Sequence, residues 1–214
     1  MSAGAPPARR TRRGEERDAR LRQRAADLFL ERGYDGVSVD ELIRDVGGSK
    51  ASVYQFYGDK DGLFTAVMED TLEDLIVPLM ALDLEGLSLR DGLKSFATML
   101  LSTLLQPRHL AFQRLVITEA LRHPAIGLGW YRDGPAATCE LLQRFLAEQQ
   151  RLGHIRPDVA LGPASVLFHD MVLSTLLNRA VMAIEGGPTP EEMAAKIEHA
   201  VRLMLAGIAP PARG

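Results

Sequence analysis

Apolar residues along this chain recur at three- and four-residue intervals, and no segment sustains a two-residue alternation, so the pattern predicts helices throughout and no sheet. Leu21, Ala25, Leu28 and Phe29 share one face of a first helix, which Gly33 ends. In VSVDEL, Ser38 and Glu41 have capping-box spacing, and Val37 can staple onto Leu42 across the same helix start. The helix so begun turns Leu42, Ile43 and Val46 inward and stops at Gly47-Gly48 after little more than two turns. Ser49 is the natural cap of a third helix, about Lys50 to Tyr57. Two short helices across a glycine-bearing turn make a helix-turn-helix.

Asp59 then caps a longer helix expected to reach about Val77, where Pro78 ends it. Ser88 with Asp91 opens another that runs to Leu105, and helical pattern resumes from about Arg108 to Arg122. A short piece follows Pro124 through Trp130, and a separate helix is expected from Pro135 to Leu152. The last two are long and apolar on broad faces, about Asp158 to Ile184 and Thr189 to Ile208. Thr189, Pro190 and Glu192 supply the cap, first-turn proline and capping-box acid of the final one. The fold class is all-α, with about nine helices. Three N-terminal ones form a helix-turn-helix domain, and a helical ligand-binding and dimerisation domain follows.

Composition narrows this further. The single Cys139 rules out an internal disulfide framework and suits a reducing, cytoplasmic setting. No apolar run approaches the length of a membrane span, and the arginines of MSAGAPPARRTRRGEER precede no apolar stretch of a secretory signal. The net charge of -3 argues against nucleic acid until it is divided along the chain. The first 60 residues carry 12 Lys/Arg and 10 Asp/Glu, the remainder 13 and 18. A basic head on an acidic body is the distribution a DNA-binding module shows. The expected domains are a disordered basic arm over 1–14, the helix-turn-helix over 15–60 and the body over 61–214. Arg9, Arg10, Arg12 and Arg13 of the arm suit a minor groove or plain solvent equally.

At about 100° per residue the third helix has two faces. Val53, Phe56 and Tyr57 cluster inward, while Ala51 and Gln55 lie opposite, edged by Lys50 and Tyr54 on one side and Ser52 on the other. A small centre with hydrogen-bonding edges is what a helix needs in the major groove: amide and hydroxyl groups at base edges, cations and phenols at phosphates.

The run RAADLFLERGYDGVSVDELIRDVGGSKASVYQFYGDKDGL resembles the DNA-binding domain of TetR/AcrR-type transcriptional regulators over roughly 15–64, without a gap. FQRLVITEALRHP through GWYRDGPAATCELLQ is similar, more loosely, to an effector-binding domain of that family. The resemblance implies that Lys50, Ala51 and Ser52 face bases and that Tyr54 and Gln55 meet bases or phosphates. It also implies phosphate contacts at Ser38 and Lys60, which alone would read as a helix cap and a surface lysine. Three positions depart from the family pattern: Gly48 replaces an aliphatic turn residue, Gln55 an aromatic or histidine, and Phe56 a phosphate-contacting histidine.

Reading two half-sites requires a dimer, for which Val166, Leu173, Leu176, Leu177, Val181, Val201, Leu203 and Leu205 of the last two helices are candidates, shared with the chain's own core. Met68, Phe96, Met99, Leu115, Trp130, Phe145 and Phe168 offer an apolar effector lining, with Glu119, Tyr131 and His169 as polar anchors, or else plain core. The expected partners are a palindromic operator, a second copy and a small-molecule effector, with no membrane. No cofactor, metal or catalytic residue is expected, because the five histidines lack ligand spacing and Cys139 has no nearby histidine. The function expected is a ligand-responsive repressor released from its operator by a small molecule. Its rivals are a helical enzyme or small-molecule-binding protein whose helix-turn-helix ignores DNA, and a scaffold using the basic N-terminus at a membrane surface.

Overall fold

Helix α1 spans Arg12–Arg32, α2 Val39–Val46 and α3 Lys50–Tyr57 in the computed structural model, which describes residues 12–184 and 187–210. Arg9 and Arg10 lie outside the described residues. Arg12 to Gly14, expected in the arm, already belong to α1. Leu21, Ala25, Leu28 and Phe29 of α1 are buried, as the periodicity predicts. Ser38 Oγ accepts the Glu41 N–H at 3.2 Å, and Val37 and Leu42 are buried across that helix start. The Glu41 carboxylate meets Arg32 Nη1 at 2.8 Å and so ties α2 to the end of α1.

The turn between α2 and α3 uses both glycines, with φ of 76° at Gly47 and 122° at Gly48. Side chains rarely adopt these values, which explains the glycine where the resembled family carries an aliphatic residue. Ser49 then caps α3, its Oγ accepting the Ser52 N–H at 3.1 Å. Asp59 Oδ1 does the same for Gly62 N–H at 2.8 Å, starting α4, Lys60–Met80. Pro78 lies within the last turn of α4 rather than ending it at Val77. A missing N–H so near the C-terminus costs one bond, and Ala81 N–H still reaches Val77 O at 3.0 Å.

The chain divides into two compact units, residues 1–70 and 71–214, and the division falls inside α4. That is ten residues past the expected boundary, because Leu63, Phe64 and Val67 of α4 are buried in the first unit. There Phe64 stands edge-on to Phe29 at 4.8 Å between ring centroids and tilted against Tyr34 at 4.9 Å.

In the second unit α5 is Leu89–Leu104, α6 Pro107–Glu119, α7 Pro124–Tyr131, α8 Ala137–Arg151, α9 Leu161–Val181 and α10 Pro190–Ile208. Helices α5, α8, α9 and α10 enclose a core that includes Leu93, Phe96, Leu142, Phe168, Val172 and Val201. The predicted capping box of α10 is complete, with Thr189 and Glu192 satisfying each other's backbone. Helices α7 and α8, expected as separate pieces, are joined by a π-helical turn, Arg132–Ala136. Pro135 lacks an N–H and its ring would strike the carbonyl four residues back; a wider turn accommodates both without breaking the rod. Counted so, the described residues form nine helical rods.

Candidate nucleic-acid interface

Residues Ala51, Tyr54 and Gln55 stand exposed along the outward side of α3, flanked by exposed Lys50 and half-buried Ser52. The opposite side holds the helix in place. Val53 is buried, and the Tyr57 hydroxyl donates to Asp18 Oδ1 on α1 at 2.7 Å. Phe56 departs from its expected inward position and is 42% exposed. It lies about 60° round the helix from Val53, on the Ser52 edge, and Phe29, Tyr34 and Phe64 already supply the aromatic core. Apolar periodicity alone cannot separate such a flank from a core position.

The cations of this face are anchored. Lys50 Nζ meets Asp40 Oδ2 of α2 at 2.7 Å, and this hydrogen bond holds the ammonium above its ordinary pKa. Lys60 Nζ sits 4.0 Å over the Tyr34 ring, whose hydroxyl donates to Asp61. A lysine opening a helix opposes the helix dipole; the ring face offsets this and keeps a cation at the helix start, which is favourable toward phosphate. Ser38 is exposed and spends only an oxygen lone pair on its cap, so its O–H can still donate. Spacing along the sequence gave no hint of Arg17, which reaches the turn from α1: a Cβ on Gly48 would lie 3.7 Å from Arg17 Nε.

Asp40 is an exposed acid that neutralises Lys50 at the edge of the candidate face. Exposed pairs such as Lys50–Asp40 contribute little to stability, so Asp40→Asn is expected to leave the melting temperature within about 1 °C. Without the acid and with Lys50 released, affinity for random-sequence DNA is expected to rise about threefold, with a steeper salt dependence. Fluorescence anisotropy at several salt concentrations reads both quantities.

The second unit contains a cavity of about 460 Å³. Trp130, Tyr131 and His169, expected at a pocket, line it. The other expected residues are placed elsewhere. Phe96 and Phe168 are fully buried in the core, and Phe145 packs on Gly92. Leu115 is buried and Met99 half-buried, neither on the lining. Glu119 is buried beside Arg122 and His123, and Met68 is buried in the first unit. Core packing takes the large aromatics, whereas the lining comes from residues whose spacing did not mark them: Leu72, Ile76, Leu104, His109, Gln113 and Thr138 among others.

His109 and Gln113 carried the available signal, two polar residues one helical turn apart on the buried face of α6. The Trp130 indole N–H donates to Gln113 Oε1 at 3.0 Å. Burial pushes the His109 imidazole down to about 4, so it is neutral near pH 7. Cys139, half-buried, has its thiol raised to about 11 by burial and then by Asp170, which leaves it a poor nucleophile. No group of three or more His, Cys, Asp or Glu among the described residues is arranged to hold a metal ion. Of the expected dimer residues, Leu173, Leu176 and Val201 are buried within the chain, and Leu173 and Leu177 line the cavity. Val181 and Leu205 are half-buried. Val166 and Leu203 are exposed, and Leu167 joins them. No helix among the described residues is long and apolar enough to cross a membrane.

Residues 21–67 match the family described as bacterial regulatory proteins, tetR family, and residues 91–208 match the AefR-like transcriptional repressor C-terminal domain. The chain is 31% identical over 187 residues to the HTH-type transcriptional repressor Rv1474c of Mycobacterium tuberculosis, a match covering 83% of this chain and 89% of that one. It is 27% identical to the HTH-type transcriptional repressor AcnR of Corynebacterium jeikeium over 77% of this chain and 81% of the other. Among solved structures, the flavonoid-responsive regulator FrrA superposes with a TM-score of 0.78 at 28% identity, over 92% of this chain and all of that one. A regulator from Mesorhizobium loti superposes with a TM-score of 0.76 at 25% identity, over 94% of this chain and all of the other.

Proposed function

The chain belongs to the TetR family of bacterial regulatory proteins and is a DNA-binding regulator of transcription, and from that premise we propose a dimeric repressor that a small molecule releases from a palindromic operator. The observation that carries the reading is the outward face of α3, where Ala51, Tyr54 and Gln55 are exposed between Lys50 and Ser52. Ala51 is small enough to bring the helix close to the groove floor. Gln55 supplies an amide for base edges. Tyr54, Lys50, Ser38 and Lys60 supply hydroxyls and cations for base edges and backbone. In this reading residues 15–60 deliver the contacts to DNA, and the body provides pairing and ligand response. Selection of bound sequences from random DNA tests it. Recovered sites should be palindromic, with half-sites about 34–36 Å apart; sites without symmetry, or none, would overturn it.

Pairing is assigned to α9 and α10, whose Val166, Leu167 and Leu203 are apolar and exposed. Single apolar residues on a surface are ordinary, but three on two adjacent helices suit a second copy. Leu167→Arg with Leu203→Arg is expected to turn a sedimenting dimer into a monomer and to cost at least about tenfold in operator affinity, since each complex then has one head. A double variant that still sediments as a dimer places the interface elsewhere.

Ligand response is assigned to the cavity of the second unit. Its volume lies in the range of small-molecule sites, and the flavonoid-responsive neighbour supports a small organic effector. By linkage, an effector that lowers operator affinity must itself be bound more weakly, by the same factor, when operator is present. The protein acts in this scheme where its DNA is, in the cytoplasm.

A further inference from the structure

The cavity's lining is unusual in its charges. Among the described residues it contains no lysine or arginine, and its single acid, Asp170, is two-thirds exposed and paired with His169 Nδ1 at 3.1 Å. Arg114, next to Gln113 on α6, is committed elsewhere, its guanidinium donating to the Val181 and Ala180 carbonyls at 2.6 and 2.8 Å. An anionic ligand would therefore lose its water without gaining a counter-charge, which is costly. Walls of Leu72, Ile76, Leu104, Leu173 and Leu177 favour an apolar body.

One polar group is left unanswered. His109 lines the cavity, is only 3% exposed, and its Nδ1 has no hydrogen-bond partner. A buried ring nitrogen without a partner carries an unrecovered desolvation cost; Nδ1 is sealed from the cavity as the ring stands, and a turn of the imidazole about its Cβ–Cγ bond brings it to a ligand group there. Gln113 is already held at its oxygen by Trp130, so what it can offer a ligand is its NH2.

Resting on the reading of this cavity as the effector site, we infer that its ligand is an uncharged, largely apolar molecule carrying a hydroxyl group that bonds His109 Nδ1. A hydroxyl both donates and accepts, so it satisfies either tautomer of a neutral imidazole and can accept from Gln113 as well. An ether or hydrocarbon of the same shape does less, and an ionised group must enter without an opposite charge.

Trp130 is the only tryptophan of the chain and lines the cavity, so its fluorescence reports occupancy directly. The probes are four saturated bicyclic compounds that do not absorb with it: decahydro-2-naphthol, its methyl ether, decahydro-2-naphthoate and decahydro-2-naphthylammonium. The alcohol is expected to perturb Trp130, the ether to bind about fivefold more weakly, and both ions at least about tenfold more weakly. In His109→Phe, which keeps a ring in place and removes the orphaned nitrogen, the gap between alcohol and ether is expected to close. Equal binding of either ion, a gap that survives in His109→Phe, or no perturbation by any of the four overturns the assignment. Operator affinity measured with the same probes separates the two claims. An alcohol that fills the cavity without changing DNA binding removes the effector role and leaves the ligand class standing. An ion that binds and releases DNA does the reverse.

Discussion

Ala51→Glu is expected to leave the protein folded and to weaken operator binding by about 1,000-fold. Ala51 is exposed, the second residue of α3, and makes up the centre of its outward face. Glutamate there costs the helix little, because its propensity is close to that of alanine. A carboxylate in the first turn also favours the helix dipole, by a few tenths of a kcal/mol. Stability therefore stays nearly unchanged while DNA binding falls. On DNA the same carboxylate faces a groove walled by phosphates and must be desolvated without a partner, at roughly 2 kcal/mol per head. In the proposed dimer, two heads on a symmetric site double this, to about 4 kcal/mol. Thermal unfolding and electrophoretic mobility shift on one preparation read the two quantities. Unchanged operator affinity would place the reading surface elsewhere than on this side of α3.

How far the sequence reveals this protein depends on how local the governing physics is. Ser38, Ser49, Asp59, Ser88 and Thr189 each cap a helix through a bond to a residue three positions on. Nothing distant decides such a bond, and each is visible in a window of four residues. The polar side of α3 is legible for the same reason, since helical periodicity separates Ala51 and Gln55 from Val53 without reference to the rest of the chain. Phe56 was not legible, because its exposure depends on α1 and α4 having already filled the aromatic core with Phe29 and Phe64.

The cavity shows the same limit more strongly. Of the ten residues that the sequence offers as an effector lining, Trp130 and Tyr131 at the end of α7 and His169 in α9 line the cavity. Its remaining walls come from α4, α5, α6, α8 and α9, and the outermost of these residues, Leu72 and Asn178, are more than a hundred positions apart in the chain. Whether Phe168 or its neighbour His169 faces the space is a matter of helix rotation in the packed unit. The π-helical turn adds to this. By widening the rod at Pro135 it lets α7 and α8 continue as one, and Gly134 and Pro135 reach the lining from it beside Tyr131, the last residue of α7. A proline read alone says only that a regular helix is interrupted; the neighbouring helices decide whether the chain stops or widens.

Gly92→Ala is expected to destabilise the second unit by about 3 kcal/mol, against the sign that helix propensity predicts. Within α5 alanine is the better residue by about 1 kcal/mol. A Cβ on Gly92, however, would lie 2.1 Å from Phe145 Cζ and 2.6 Å from its Cε1. No such approach is tolerable, so the ring must leave its position or α5 and α8 must part. The ring's own environment resists the first, since Phe145 belongs to the same buried cluster as Leu142, Leu146 and Phe168. Forced repacking of this kind costs roughly 1–3 kcal/mol, occasionally more, and separation of two core helices also opens a cavity. Overpacking therefore outweighs propensity. Calorimetry is the suitable measurement, because two units need not unfold in one transition. The transition of the larger unit should fall by about 6–12 °C. Phe145→Leu alone should cost about 1–2 kcal/mol through lost packing, yet combined with Gly92→Ala it should restore most of the loss. A double variant no more stable than Gly92→Ala alone would mean that the clash with Phe145 is not what requires glycine at this crossing of α5 and α8.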